Sequence, residues 1–175
     1  MSNTKLSYAD ASEYAKYIRK NIRSDGVRIK TVIVGGLRRK SEFVKDIDLL
    51  VLLDKDKHIG LISFKDNSKI QIISQSSDGP KKKSFKLIIT NKNSPIIAID
   101  IFTCLKSDKP FAMLHHTGSK TFNIKTRVHA KKMGLKLNQY GIFKSNKKIS
   151  KKFKSERDIL RYIGVKYLTP KERKL

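Results

Sequence analysis

Apolar positions recur at helical spacing early in the chain: Tyr14, Tyr17, Ile18 and Ile22 fall on one face of residues 8–23, with Ser7 or Asp10 placed to cap, which predicts a helix. The pattern then changes period. "RIKTVIVGG" alternates, turns wholly apolar and stops at two glycines, as a buried strand entering a tight turn does. A second strand is predicted at Ile47 to Leu53, and the intervening "LRRKSEFVK" leaves room for one or two helical turns. Residues 54–68 are mixed and suit a short helix. "KIQIISQ" and "KSFKLIIT" read as strands separated by "SSDGPKKK", whose Asp-Gly-Pro marks a loop, and "PIIAIDIFT" is apolar enough for a central strand. Beyond "KSDKP" the character shifts. Residues 108–133 read as helical, "LKLNQYGIFK" as a strand or hairpin arm, and "SERDILRYIGV" as a final helix opened by Ser-x-x-Asp. The expected class is α+β: a mixed sheet flanked by helices over residues 1–105, then a smaller, mainly helical lobe with a short β-hairpin over 106–175.

Composition narrows the function. The 175 residues carry 40 Lys and Arg against 15 Asp and Glu, a formal charge of +25 spread along the whole length. Such a chain repels itself when compact, so a polyanionic partner is expected, nucleic acid before a membrane surface. Cys104 is the single cysteine, which excludes an internal disulfide and a cysteine-based zinc site. No apolar run approaches the ~18 residues a membrane span requires, and "MSNTKLSYADASEYAKYIRK" lacks the apolar core of a signal peptide. A soluble, intracellular monomer is expected.

Against this basic background, Asp46 and Asp48 stand at the mouth of an apolar strand. Residues two apart in a strand face the same side. Side by side, the two carboxylates repel unless cations sit between them, and an all-oxygen set suits Mg²⁺ or Mn²⁺. Asp100, inside "IIAIDIF", is costly to bury without a partner. If its strand lies beside the Asp46 strand, three acids converge, and such a set holds two metals ~3.5–4 Å apart. Upstream, Gly35 and Gly36 end a strand and precede Arg38 and Arg39. Glycines let backbone N–H groups approach an anion, and an arginine clamps phosphate oxygens. The Lys-Ser/Thr ending of the ATPase phosphate loop is absent.

Gly-Gly, nine intervening residues and Asp-apolar-Asp-apolar, with a later strand acid, resemble the signature of the nucleotidyltransferase superfamily. "HHTGSKTFNIKTRVHAKKMGLKLNQYGIF" and "ERDILRYIGVKYLTPKERKL" are similar to the C-terminal stretches of the family X DNA polymerases, the polymerase beta group. The resemblance implies a nucleotidyltransferase palm followed by a nucleotide- and template-binding lobe. Only about 34 residues precede the glycines, so neither a lyase domain nor a helix-hairpin-helix lobe is expected. The format is similar to that of minimal viral members, which implies the host cytoplasm and the virion as locations.

The resemblance assigns roles. Asp46, Asp48 and Asp100 become the catalytic, metal-binding acids, with two Mg²⁺ as cofactors and Mn²⁺ able to substitute. Gly36 and Arg39 would hold the triphosphate of a dNTP and Gly35 would shape the turn. His115, His116, Thr117 and Gly118 would line the sugar pocket, Asn123 would contact the incoming base, and Arg127 the template side. Three departures from the family pattern stand out: Gly-Gly for the usual Gly-Ser, Ala98 where many members carry a basic residue, and His115–His116 where a Tyr-Phe pair is common.

Gapped or primed duplex DNA would then be held through lysines. Lys81, Lys82 and Lys83, Lys131 and Lys132, Lys147–Lys148 and Lys151–Lys154 are the expected phosphate contacts, giving sequence-independent binding that weakens with salt. The expected activity is template-directed gap filling in DNA repair. The alternatives are a template-independent nucleotidyltransferase acting on RNA ends or a small molecule, and a non-catalytic DNA-binding module.

Overall fold

In the computed structural model, which describes residues 5–54, 58–65 and 68–173, the Ser7 hydroxyl accepts the backbone N–H of Asp10 at 3.1 Å and so starts the first helix. The first half of the chain runs β1 (Leu6–Ser7), α1 (Tyr8–Asn21), β2 (Ile22–Ser24), β3 (Val27–Arg28), β4 (Thr31–Ile33), α2 (Gly35–Arg38), β5 (Phe43–Val44), β6 (Ile47–Leu53) and β7 (Ile62–Phe64). It continues through β8 (Ile70–Asp78), β9 (Lys82–Ile89) and β10 (Ile97–Leu105). The second half holds α3 (Lys109–Thr117), α4 (Lys120–Lys132), β11 (Lys136–Asn138), β12 (Gly141–Lys144), β13 (Lys147–Lys148) and α5 (Glu156–Tyr162).

The organising element is a five-stranded mixed sheet in the order β4-β6-β10-β9-β8, with β10 parallel to β6 and the other neighbours antiparallel. The apolar "PIIAIDIFT" strand is therefore central, as its composition predicts. Alternation sorts the side chains of the middle strands into two layers. Ile47, Leu49, Val51, Ile99 and Ile101 join Ala11, Ala15 and Ile18 of α1 in one core. Leu50 and Cys104 face the other way, against Ala112 and Met113 of α3. Covering both faces explains why these strands read as nearly continuous apolar runs. A separate core joins Phe111, Phe122, Leu137, Ile142, Ile159 and Ile163. Full burial of such side chains contributes about 1.5–3 kcal/mol each.

Local expectations are corrected in four places. The described part of 54–68 contains strand β7 rather than a helix, with 55–57 and 66–67 outside the described residues. The "SSDGPKKK" loop shrinks to Gly79–Lys81, because β8 and β9 pair as far as Asp78 and Lys83. The helical stretch 108–133 is two helices, broken where Gly118 takes a φ of +62°; Ser119 then caps α4 by accepting the N–H of Phe122. The hairpin expected in the Lys136 region forms from β11 and β12 and gains a third short strand, β13. No helix among the described residues is long and apolar enough to cross a membrane.

Candidate active site

Strand register carries the acids. Asp48 of β6 lies directly opposite Asp100 of β10, and Asp100 lies opposite Ser84 of β9, so three polar side chains occupy one row across the sheet. Asp46 stands just before β6 rather than within it, yet it joins the row's end. Asp46, Asp48 and Asp100 each offer a carboxylate oxygen within 4.8 Å of the others.

That crowding is electrostatically costly. Burial, and then the charges of Asp46 and Asp100, push the Asp48 carboxyl up to about 8. Burial and Asp100 likewise raise Asp46, with Lys82, Lys45 and Arg39 opposing. Three carboxylates this close, with Asp46 and Asp48 open to a cleft, are the donor set a hard divalent cation satisfies. The residues present thus fit Mg²⁺ or Mn²⁺.

The glycine turn is built around the same acids. Gly35 has a φ of +61°, and a Cβ there would stand 1.7 Å from Asp48 Oδ2. Only a residue without a side chain permits both the turn and the approach. Val34 donates its N–H to the Asp48 carbonyl at 3.0 Å, locking the turn to β6. α2 is a single turn, so its consecutive residues diverge: Leu37 is buried in the core, Arg38 reaches α5, and Arg39 extends towards Gly118.

Arg39 donates through Nη1 to the Thr117 carbonyl. Burial lowers its guanidinium pKa from the ordinary arginine value, against the pull of Asp48 and Asp46. Gly35, Gly36, Arg39, Asp46 and Asp48 line a cleft of about 360 Å³. Across it lie His115, His116, Gly118 and Asn123, so the structure brings these sequence-predicted residues together around one space; Thr117, expected among them, is fully buried behind it, its hydroxyl accepting from Arg38 and its carbonyl from Arg39.

The histidines are packed rather than free. His116 stacks on Phe102 with centroids 4.1 Å apart and meets His115 edge-on at 4.9 Å. Burial, then His115 and Lys82, depress the His116 imidazole to about 4, so it is neutral at pH 7. Burial and then Arg127 lower His115 too. The Asn123 amide donates to the His115 carbonyl at 2.6 Å, and Arg127 Nε, on an exposed turn of α4, donates to the Asn123 carbonyl at 3.0 Å.

The lysines separate. Lys131 and Lys132 are exposed at the end of α4, and Lys81 is exposed beside Tyr140, 4.6 Å from its ring centroid. Lys83, expected to face phosphate, is turned inward opposite Ile101 and pairs with Asp78. Lys82 is committed to Asp100 at 2.7 Å rather than extended into solvent. Lys148 pairs with Asp108 at 2.7 Å. Four residues at or behind the site escape sequence reasoning. Ser84 donates to Asp100 Oδ1 at 2.6 Å. Lys120 lines the cleft. Glu156 accepts Arg38 Nη2 at 2.6 Å and Arg173 Nη1 at 2.8 Å, tying α2 to α5 and the C-terminal segment. No signal in the sequence marks these pairs, because each partner lies more than 15 residues away.

A sheet carrying three acids beside a glycine turn, followed by a small helical lobe, is the architecture of polymerase beta-like nucleotidyltransferases. The Leishmania infantum polymerase beta, solved as a ternary gap complex, superposes with a TM-score of 0.75 over 99% of this chain and 72% of that one, at 20% identity. Residues 112–174 match the family model described as DNA polymerase beta thumb. The repair DNA polymerase X of African swine fever virus is 31% identical over 170 residues, 97% of this chain and 91% of the viral protein. The DNA polymerase/3′-5′ exonuclease PolX of Bacillus subtilis is 30% identical over 83% of this chain and 24% of its own length. The chain belongs to the family X DNA polymerases, which are DNA-directed DNA polymerases.

Proposed function

We propose that this chain fills short gaps in duplex DNA during repair. It transfers a nucleotidyl group from a deoxynucleoside triphosphate to a primer 3′-hydroxyl, directed by a template and with release of pyrophosphate. The observation that carries the reading is the adjacency of two half-sites: Asp46, Asp48 and Asp100 have oxygens within 4.8 Å of one another, and Asp46 and Asp48 line one cleft with Gly35, Gly36 and Arg39.

Each half has a task. Asp46, Asp48 and Asp100 would hold two Mg²⁺, or Mn²⁺ in their place, with Asp100 on the primer side. When bound, the ions supply a lowered pKa at the attacking hydroxyl and charge neutralisation at the leaving phosphate. The chain's own contribution is positioning and electrostatic complementarity, which is most of what phosphoryl transfer asks of a protein. Gly36 offers backbone to the triphosphate while Gly35 permits the turn. Arg39, steadied by the Thr117 carbonyl, brings a fixed cation to the same oxygens. His115, His116 and Gly118 form the sugar pocket, with Thr117 buried behind them; the neutral, stacked His116 provides a flat apolar wall where a charged imidazole would not. Asn123 and Arg127, four residues apart on α4, address the incoming base and the template. Lys81, Lys131 and Lys132 remain available for backbone phosphates.

Primer extension on a gapped duplex tests the reading. The wild-type chain extends with the nucleotide complementary to the template base, and Asp100→Asn abolishes extension while a filter-binding assay finds DNA affinity within about threefold. Incorporation indifferent to the template base would instead support the template-independent alternative, and undiminished extension by Asp100→Asn would refute the catalytic assignment.

A further inference from the structure

Ala98, two residues before Asp100, carries no charge and lies opposite Lys86, so no cation reaches Asp100 from its own strand at that position. The neighbouring strand supplies one. Ser84 Oγ donates to Asp100 Oδ1 at 2.6 Å, and Lys82 Nζ stands 2.7 Å from Asp100 Oδ2. Both oxygens of the carboxylate therefore have donors from β9. Ser84 is buried and directly opposite Asp100; Lys82 is two residues earlier on the same face, opposite Phe102.

The Lys82 ammonium has a second neighbour. Its ammonium lies 5.4 Å from the centroid of the Phe102 ring, and that ring is stacked on His116. Its side chain is only 44% exposed. The flanking lysines point elsewhere: Lys81 is exposed beside Tyr140 and Lys83 pairs with Asp78. One member of a three-lysine run is thus singled out by the register of β9 to meet the acids.

We propose that Lys82 is a positioning residue for Asp100: with Ser84 it fixes the orientation of the third carboxylate, and in the metal-free protein its ammonium shares that carboxylate with any incoming divalent cation. The inference rests on the proposed nucleotidyl transfer for its catalytic consequence, but the cation competition stands without it. A strand aspartate has two side-chain torsions, and two donors on separate oxygens remove that freedom. An ammonium beside three crowded carboxylates also opposes a second cation by simple repulsion.

Lys82→Met, Lys82→Arg and Ser84→Ala test this in the full chain. Mn²⁺ alone, titrated by electron paramagnetic resonance with neither DNA nor nucleotide present, binds Lys82→Met more tightly than wild type, while Lys82→Arg stays near the wild-type value. In gap filling, Lys82→Met lowers kcat by roughly 10- to 100-fold, the span of a hydrogen bond to a charged group, with little change in nucleotide KM. Lys82→Arg restores most of kcat, and Ser84→Ala gives a smaller loss of the same kind. Unchanged Mn²⁺ affinity in Lys82→Met overturns the pairing. Unchanged kcat with weakened duplex binding overturns the positioning role and makes Lys82 a phosphate contact. If wild type itself does not extend a primer, the proposed function fails, whereas the Mn²⁺ titration still decides the pairing.

Discussion

Glu156→Gln removes one charge from the middle of a three-residue network behind the site and should destabilise the fold. Glu156, 8% exposed at the start of α5, accepts Arg38 Nη2 at 2.6 Å, Arg38 Nη1 at 3.0 Å and Arg173 Nη1 at 2.8 Å. Arg173 is fully buried, so losing its partner leaves an unpaired charge out of reach of water. Breaking such a pair by removing one member costs about 3–5 kcal/mol. The lower end applies, because glutamine keeps one acceptor oxygen and the Arg38 side chain is 22% exposed. About 3 kcal/mol in a chain of this size lowers Tm by roughly 6–12 °C. Burial by itself would raise the Glu156 pKa, but hydrogen bonds and charge from Arg38 and Arg173 outweigh it and hold the carboxyl below its ordinary 4.5. A depressed carboxylate stabilises the native state fully above the unfolded value and loses that contribution as pH falls through the folded one. Thermal melts by circular dichroism should therefore show the full gap between wild type and variant at pH 7, shrinking below pH 4.5. A Tm within about 2 °C of wild type at pH 7, or a gap that persists undiminished in acid, would refute the reasoning.

Two further outcomes follow from the geometry. Gly35→Ala forces a side chain into a left-handed conformation, costing about 1–2 kcal/mol, and drives its Cβ into Asp48 Oδ2; urea denaturation should register the loss and a Mn²⁺ titration should show weakened binding, whereas normal values for both would mean that the turn relaxes. Cys104 is buried, and burial followed by the charge of Asp108 pushes its thiol up to about 11; at pH 8 a chromogenic disulfide reagent should leave it intact in the native protein and titrate it in denaturant, and rapid native reaction would contradict the packing described.

What could be read in the sequence is what depends on near neighbours along the chain. The Gly-Gly turn, the Asp46–Asp48 pair and the capping serines at 7 and 155 are short-range patterns, and the turn, the acids and both caps appear in the structure. Periodicity also separates the faces of β6 and β10, since side-chain direction alternates whatever the strand's neighbours are. Strand pairing is not local. Nothing in "KKKSFKLIIT" says that β9 will lie beside β10, and without that register Lys82, Ser84 and Lys83 are indistinguishable members of a basic, polar run. Their fates diverge because alternate residues of a strand meet different layers: Lys82 and Ser84 meet the acids, while Lys83 lies opposite Ile101 and pairs with Asp78. The Glu156 network was illegible for the same reason, joining residues 38, 156 and 173 through packing alone.

The same register accounts for how a chain of +25 keeps a cluster of acids unquenched. Long-range attraction to a polyanion needs only net charge, and beyond about 8 Å that field is screened at physiological salt. Around the acids, contact geometry decides. Arg38 is neutralised by Glu156, Arg39 is oriented by the Thr117 carbonyl, and Lys83 is paired with Asp78. Among the described residues, Lys82 is the cation at ion-pair distance from the three acids, and it engages only the Asp100 end. Asp46 and Asp48 are thus left facing open space with their repulsion largely unrelieved. A single helical turn arranges much of this. Across the four residues of α2, Gly35 yields room to Asp48, Leu37 anchors the turn in the core and Arg38 braces it against α5, while the adjoining Arg39 lines the cleft. Successive positions of a helical turn point about 100° apart, so one turn suffices to send these side chains to different partners and to bring Arg39 to the opening that Asp46 and Asp48 line.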